Sequence, residues 1–229
     1  MFAGLDFGVL REKETWQAFG IGVVLFCIIG YSSLTLFGLS ASAYGVSDEV
    51  VPVPDFEVET MNRTGIDDVV ADENGMVRLS DLRGNVVVID FMAIDCANCH
   101  YVQTHIEQNL DDWESLEGPH NVIVLSVATW HWYESFDRIN RTFGDLDSDK
   151  HMSWPVANSG SEVVILEDGS RGDLAEYYSA FDLPIVIVVD HEGYVVAKES
   201  TGTPLDGWSS FDSAIARANS GDAEDLRFG

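Results

Sequence analysis

The run Val86-Val87-Val88-Ile89-Asp90-Phe91 constrains this chain more than any other stretch, because it leads directly into Cys96-Ala97-Asn98-Cys99. A β-branched run without alternation describes a strand buried on both faces. Beyond the cysteines, Val102, Ile106 and Leu110 recur at helical spacing. Two cysteines three apart at a helix start share one face, with β-carbons roughly 5–6 Å apart. That is within disulfide reach. The helix amino end adds unpaired N–H groups and about half a positive charge, which favour a thiolate. The junction therefore predicts a pair that cycles between dithiol and disulfide.

The 229 residues suffice for one compact domain with appendages. Only three cysteines occur, so a hydrophobic core and not a disulfide framework must hold the fold. Cys27, alone in an apolar segment, reads as an apolar side chain. Twelve Lys and Arg stand against 39 Asp and Glu, a formal charge of −27. Such a surface repels phosphate backbones, which excludes nucleic acid as a partner. The acids are spread along the chain and read as a solvated surface suited to strong salt, like that of halophilic proteins. At molar salt the Debye length is about 3 Å, so their mutual repulsion is screened.

No charged residue lies between Thr15 and Ser47. Within that stretch Ala18 to Leu39 is mostly apolar, roughly 33 Å as a helix, which is long enough to cross a bilayer. Trp16 and Tyr44 flank it as interface anchors. Arg11 and Lys13 precede it and the next basic residue is Arg63, which predicts a cytoplasmic amino terminus and an extracellular soluble domain. Ala41-Ser42-Ala43 offers a signal-peptidase site, but the apolar stretch exceeds a cleaved signal and reads as a retained single-pass anchor in the cell membrane.

The expected organisation is a cytoplasmic terminus at 1–15, a transmembrane helix at 16–39, a linker at 40–52, a folded domain at 53–218 and an acidic tail at 219–229. Further strands are expected at Val77–Leu79, Asn121–Val127 and Ile185–Val189, the last pairing with Tyr194–Ala197 as a hairpin. Helices are expected at Glu134–Phe143, Asp173–Phe181 and Leu205–Ala218. This order describes an α/β domain with a mixed central sheet flanked by helices.

Four pieces in sequence carry a family resemblance: Pro54-Asp55-Phe56, the lead-in from Val77 to Val88, the segment Asp90 to Cys99, and Leu183-Pro184-Ile185 followed by Val189 to Gly193. Together they resemble the thioredoxin superfamily, in particular its membrane-anchored TlpA/ResA-like thiol-disulfide oxidoreductases, from about Val53 to Ala218. The resemblance implies a thioredoxin-like fold and a protein-disulfide reductase or exchange activity. Cys96 would be the attacking thiol, and Cys99 would resolve the mixed disulfide. Asp90 would be the buried acid that exchanges a proton with Cys99. Pro184 would form a cis-proline loop, leaving the backbone of Leu183 open to an extended substrate. Partners would be disulfide or thiol proteins outside the cytoplasm, apocytochrome c among them, and a membrane electron-transfer protein. No cofactor or metal is implied.

The chain departs from that family at several places. Met92 stands where tryptophan is usual, Ala97-Asn98 lacks the customary proline, and Val102 replaces a glutamate frequent in the branch. Asp95 takes an aromatic position, and a carboxylate beside Cys96 is expected to raise the thiol's pKa and tilt the pair towards a reductant. Two rival readings exist. Cys96-Ala97-Asn98-Cys99-His100 also fits c-type haem attachment and an electron carrier. A SCO-like copper metallochaperone would need cysteines four apart and a distant histidine, for which His131, His151 and His191 are the candidates. A peroxiredoxin would need threonine where Ala93 stands, and a silent docking scaffold would not need the pair. His105 is expected to face solvent, and the cluster Trp130 to Tyr133 to lie near the active helix start, where it would contact substrate.

Overall fold

The structure, a computed structural model, describes residues 50–228. The membrane span read at 16–39 and Cys27 lie outside the described residues. Among the described residues no helix is long and apolar enough to cross a membrane.

The central strand, β3 (Val86–Met92), is buried at every residue. On one edge it pairs in parallel with β4 (Val122–Ala128), from Val86↔Val122 to Met92↔Ala128. On the other it pairs antiparallel with β8 (Ile185–Val189). Period two sorts its side chains. Val86, Val88 and Met92 join a cluster with Val102 and Ile106 of α1 (Cys99–Glu114) and Ile215 of α4 (Ser209–Ser220). Val87, Ile89 and Phe91 join a second cluster with Leu174 and Tyr178. Two apolar faces explain the unbroken apolar run.

The sheet order is β7-β6-β1-β5-β4-β3-β8-β9, with β2 on β1. Here β1 is Asp55–Thr60, β2 Met76–Arg78, β5 Val156–Asn158, β6 Val164–Ile165, β7 Arg171–Gly172 and β9 Val195–Glu199. β5 runs parallel to β4 and β1 antiparallel to β5, so the sheet is mixed. The β8–β9 hairpin turns on buried Asp190, whose Oδ1 accepts the amides of Glu192, Gly193 and Tyr194. Gly193 supplies the required φ of +99°.

One expected helix changes form along its length and another is shorter than its periodicity suggested. In place of Glu134–Phe143, α2 covers Phe136–Ile139 and widens into a π turn over Asn140–Gly144. In place of Asp173–Phe181, α3 covers Leu174–Tyr177 and stops before Ser179, which has φ +52°. Their starts are set by N-caps: Ser135 Oγ accepts from the Arg138 amide and Asp173 Oδ1 from the Ala175 amide. The last helix begins four residues after Leu205, because Asp206 accepts the amides of Trp208 and Ser210 in a turn. Residues after Ser220 fold back: Phe228 bridges Val195, and Arg227 donates to Asp190 Oδ2 at 2.7 Å.

A polar bolt fixes the long connection between α2 and β5. Buried Asp67 pairs with Arg63 at 2.9 Å and accepts the Val156 amide, while Arg63 donates to the carbonyls of Met152 and Trp154. Phe91 packs at 4.7 Å between ring centroids on Tyr178 in the second cluster. Phe91→Ala is expected to cost about 3–5 kcal/mol, read from the midpoint of urea unfolding of the purified protein.

Candidate active site

The chain leaves β3 at Met92, crosses Ala93-Ile94-Asp95 and enters α1 at Cys99. Cys96 and Cys99 are joined by a disulfide, with Cα atoms 5.3 Å apart. Cys99 is fully buried, whereas Cys96 keeps 6% of its surface and is followed by exposed Ala97 and Asn98. Any approach from outside therefore meets Cys96 first. The Cys99 amide donates to Cys96 Sγ at 3.1 Å. An N–H at a helix start aimed at sulfur stabilises negative charge there, so it favours a thiolate at Cys96 in the reduced protein.

Asp90 has no exposed surface. It lies on the β3 face of Val88 and Met92, the face covered by α1 and the cysteines. In register with Ser126, its Oδ2 accepts from Ser126 Oγ at 2.9 Å. That hydroxyl accepts in turn from Trp154 Nε1 at 2.9 Å. Oδ1 has no hydrogen-bond partner among the described residues. Burial pushes the Asp90 carboxyl up to about 7, against a smaller lowering by Ser126. A carboxyl so placed holds or releases a proton near neutrality.

The Leu183-Pro184 peptide is cis. Because Ile185 is in register with Phe91, Pro184 lies at the end of the sheet where β3 runs out towards the cysteines. Leu183 packs on the cluster that contains both sulfurs. Trp132, Tyr133 and Phe181 are exposed; Phe181 stands two residues before Leu183, and its ring is 5.5 Å from that of Trp132. Trp130 packs against the cysteine-containing cluster, and His131 is held by Asp173 at 2.8 Å.

Sequence reasoning missed two residues of this site. Glu134 is buried and its Oε1 accepts the Ile94 amide at 2.7 Å. Burial raises its carboxyl, and the Ile94 and Asp95 amides partly offset that. Arg138 reaches both Asp95 oxygens at 2.9 Å, so the carboxylate beside Cys96 is not the uncompensated charge that the sequence suggested. The one available signal was Glu and Arg four apart just beyond the second parallel strand, a spacing that puts both on one side of a turn. His105 is also corrected: it does not face solvent but stacks on Trp208 at 4.5 Å and bonds Asp212 at 2.9 Å.

Of the histidines of the rival readings, His100 and His131 are hydrogen-bonded elsewhere, and buried His151 Nδ1 and His191 Nδ1 have no partner among the described residues. His100 Nδ1 lies 2.9 Å from Gln103 Oε1. His191 stacks on His120 at 3.8 Å, and its carbonyl accepts the Gly84 amide, at the end of β3 opposite the cysteines. Among the described residues no group of three or more His, Cys, Asp or Glu is placed to hold a metal ion.

No family model matches the chain, and no curated protein does. Solved structures do. A candidate thiol:disulfide interchange protein DsbE from Chlorobium tepidum is similar at 19% identity and a TM-score of 0.50, over 75% of this chain and 97% of that one. A candidate thiol-disulfide oxidoreductase from Bacteroides vulgatus is similar at 17% identity and a TM-score of 0.50, over 73% and 99%. A candidate thioredoxin from Neisseria meningitidis is similar at 14% and 0.50, over 74% and 92%. These likenesses define the architecture: the domain has the thioredoxin-like fold, with a Cys-x-x-Cys pair at its strand-to-helix junction.

Ionising Asp90 costs the folded chain more than the unfolded one. Its stabilising contribution is full below about pH 4 and is lost as pH rises through about 7. In the oxidised protein, where neither cysteine titrates, Asp90→Asn is expected to remove that loss. Urea unfolding compared at about pH 4 and about pH 8 should show the variant gaining on the parent with rising pH, by on the order of 2–4 kcal/mol.

Proposed function

We propose that this protein is a membrane-anchored thiol-disulfide oxidoreductase that reduces or exchanges disulfides in proteins outside the cytoplasm. The observation that carries the activity is the Cys96–Cys99 disulfide, with the Cys99 amide on Cys96 Sγ and Asp90 buried on the same face of β3. In the reduced protein, Cys96 thiolate attacks one sulfur of a client disulfide. A Cys96–client bond forms, and the other client sulfur leaves as a thiolate that takes up a proton. Asp90, as carboxylate, takes the Cys99 proton, and Cys99 attacks Cys96 Sγ. The second client sulfur leaves with a proton, and the pair is oxidised by two electrons. A dithiol electron carrier in the membrane would restore the reduced state.

The client would be an extended segment laid against Leu183, with its apolar side chains on Trp132 and Phe181. Apocytochrome c is one such client, supported by the resemblance to TlpA/ResA-like proteins. The apolar stretch at 16–39 and the basic residues before it support the anchor and the outward orientation. The acid excess supports work in strong salt.

Cys96→Ser is expected to abolish reduction of insulin disulfides, and Cys99→Ser to accumulate client mixed disulfides on a non-reducing gel. Full activity in Cys96→Ser would end the proposal. Trp132→Ala is expected to raise KM for a protein client roughly three- to tenfold without changing kcat. A couple potential near about −270 mV would mark a reductant and one near about −120 mV an oxidant.

A further inference from the structure

We infer that the turn at 134–138 governs Cys96: Glu134 fixes the chain ahead of the thiol, and Arg138 shields the thiol from Asp95. The inference rests on the thiol-disulfide reading and adds to it the residues that set the reactivity of the first sulfur.

The segment Ala93-Ile94-Asp95 belongs to neither β3 nor α1, so no ladder or helix fixes it. It is nevertheless gripped from three directions. Glu134 Oε1 accepts the Ile94 amide at 2.7 Å, and Lys150 Nζ donates to the Ile94 carbonyl at 3.2 Å. Arg138 holds the Asp95 carboxylate by both oxygens. The next residue carries the sulfur that must meet the Cys99 amide. A buried carboxylate is costly to keep, and Glu134 Oε2 is buried without a partner among the described residues. What that cost secures is one fixed peptide ahead of Cys96.

The second half of the device is electrostatic. An unpaired charge on Asp95, adjacent to Cys96, would oppose a thiolate. Paired with Arg138 it becomes a dipole, whose field falls faster with distance than that of a single charge. Ser135 caps α2, and this places Arg138 one turn beyond Glu134, so a single short turn supplies both grips. The charged groups facing the segment are Glu134, Arg138, Asp95 and Lys150. The Asp95–Arg138 pair is partly exposed, so its influence weakens with salt.

The test is the pH midpoint for alkylation of Cys96 by iodoacetamide in the reduced full-length protein at low salt, with the modified residue located by mass spectrometry. Arg138→Gln is expected to raise the midpoint by about one unit, or about tenfold less thiolate at neutral pH. Adding Asp95→Asn to that variant is expected to return it. Asp95→Asn alone leaves Arg138 unopposed and is expected to lower the midpoint, which serves if Arg138→Gln does not fold. Glu134→Ala is expected to raise the midpoint, and Glu134→Gln, which keeps an acceptor for the Ile94 amide, is expected not to. An unmoved midpoint in Arg138→Gln, a double variant as displaced as the single one, or equal shifts in Glu134→Gln and Glu134→Ala would each overturn the inference. Insulin reduction that survives Cys96→Ser would instead defeat the oxidoreductase reading while leaving these midpoints to judge the turn.

Discussion

Full pairing of β3 on both edges is the constraint on which the rest of this molecule depends. With β4 and β8 hydrogen-bonded along it, β3 has no freedom to slip, because a shift of one residue would exchange its two apolar faces. The same pairing fixes Asp90 opposite Ser126 and turns its carboxylate towards the cysteine face. It also brings the Pro184 loop to the end of the strand from which the cysteines emerge. The disulfide, the acid and the cis-proline loop are thus consequences of one register.

How much of this was legible from sequence varied with how local the cause was. Val86–Phe91, the hairpin around Asp190 and the apolar spacing of α1 are each written within a few consecutive residues, and each was readable. β6 and β7, of two residues each, carry no periodicity, and only their partners make them strands. The helices expected at 134–143 and 173–181 have helical spacing, but Ser135 caps the first two residues late and its second half widens into a π turn, while the second ends four residues early, before Ser179. At the site, Cys96, Cys99, Asp90 and Pro184 sit in motifs. Glu134 and Arg138 do not, since their role exists only once β4 returns the chain beside Ile94. His105 misled for the same reason: the Trp208 ring that covers it is far away in sequence.

The acid excess makes the few basic residues informative. Arg63 does not decorate the surface; with Asp67 it ties the segment before β5 to the segment after β1 through two carbonyls. Arg227 closes the carboxyl-terminal residues onto Asp190 and Glu192. Arg78 holds Asp55 of the first strand, whose other oxygen accepts the Ser80 amide of the turn before β3. In each case a cation is spent where two separate segments must meet. The half-exposed Arg78–Asp55 pair is weak by itself, and the other two hold buried carboxylates; the shared value of all three lies in fixing which segments adjoin.

Two buried carboxylates lie near the reactive pair, and their environments divide the work. Asp90 receives a single hydroxyl hydrogen bond and, among the described residues, leaves one oxygen unpartnered, so desolvation dominates and the neutral form survives to about 7. At Glu134 burial also raises the carboxyl, but the Ile94 and Asp95 amides and the nearby Arg138 cation pull it back towards the charged form. In the proposed function, an acid that trades a proton with Cys99 would need the first environment. An acid that must hold a peptide in place needs the second, because protonation would weaken the bonds it accepts. The fold supplies both by putting one carboxylate in the sheet, where no spare amide points at it, and the other in a turn, beside a segment whose amides have no ladder to join.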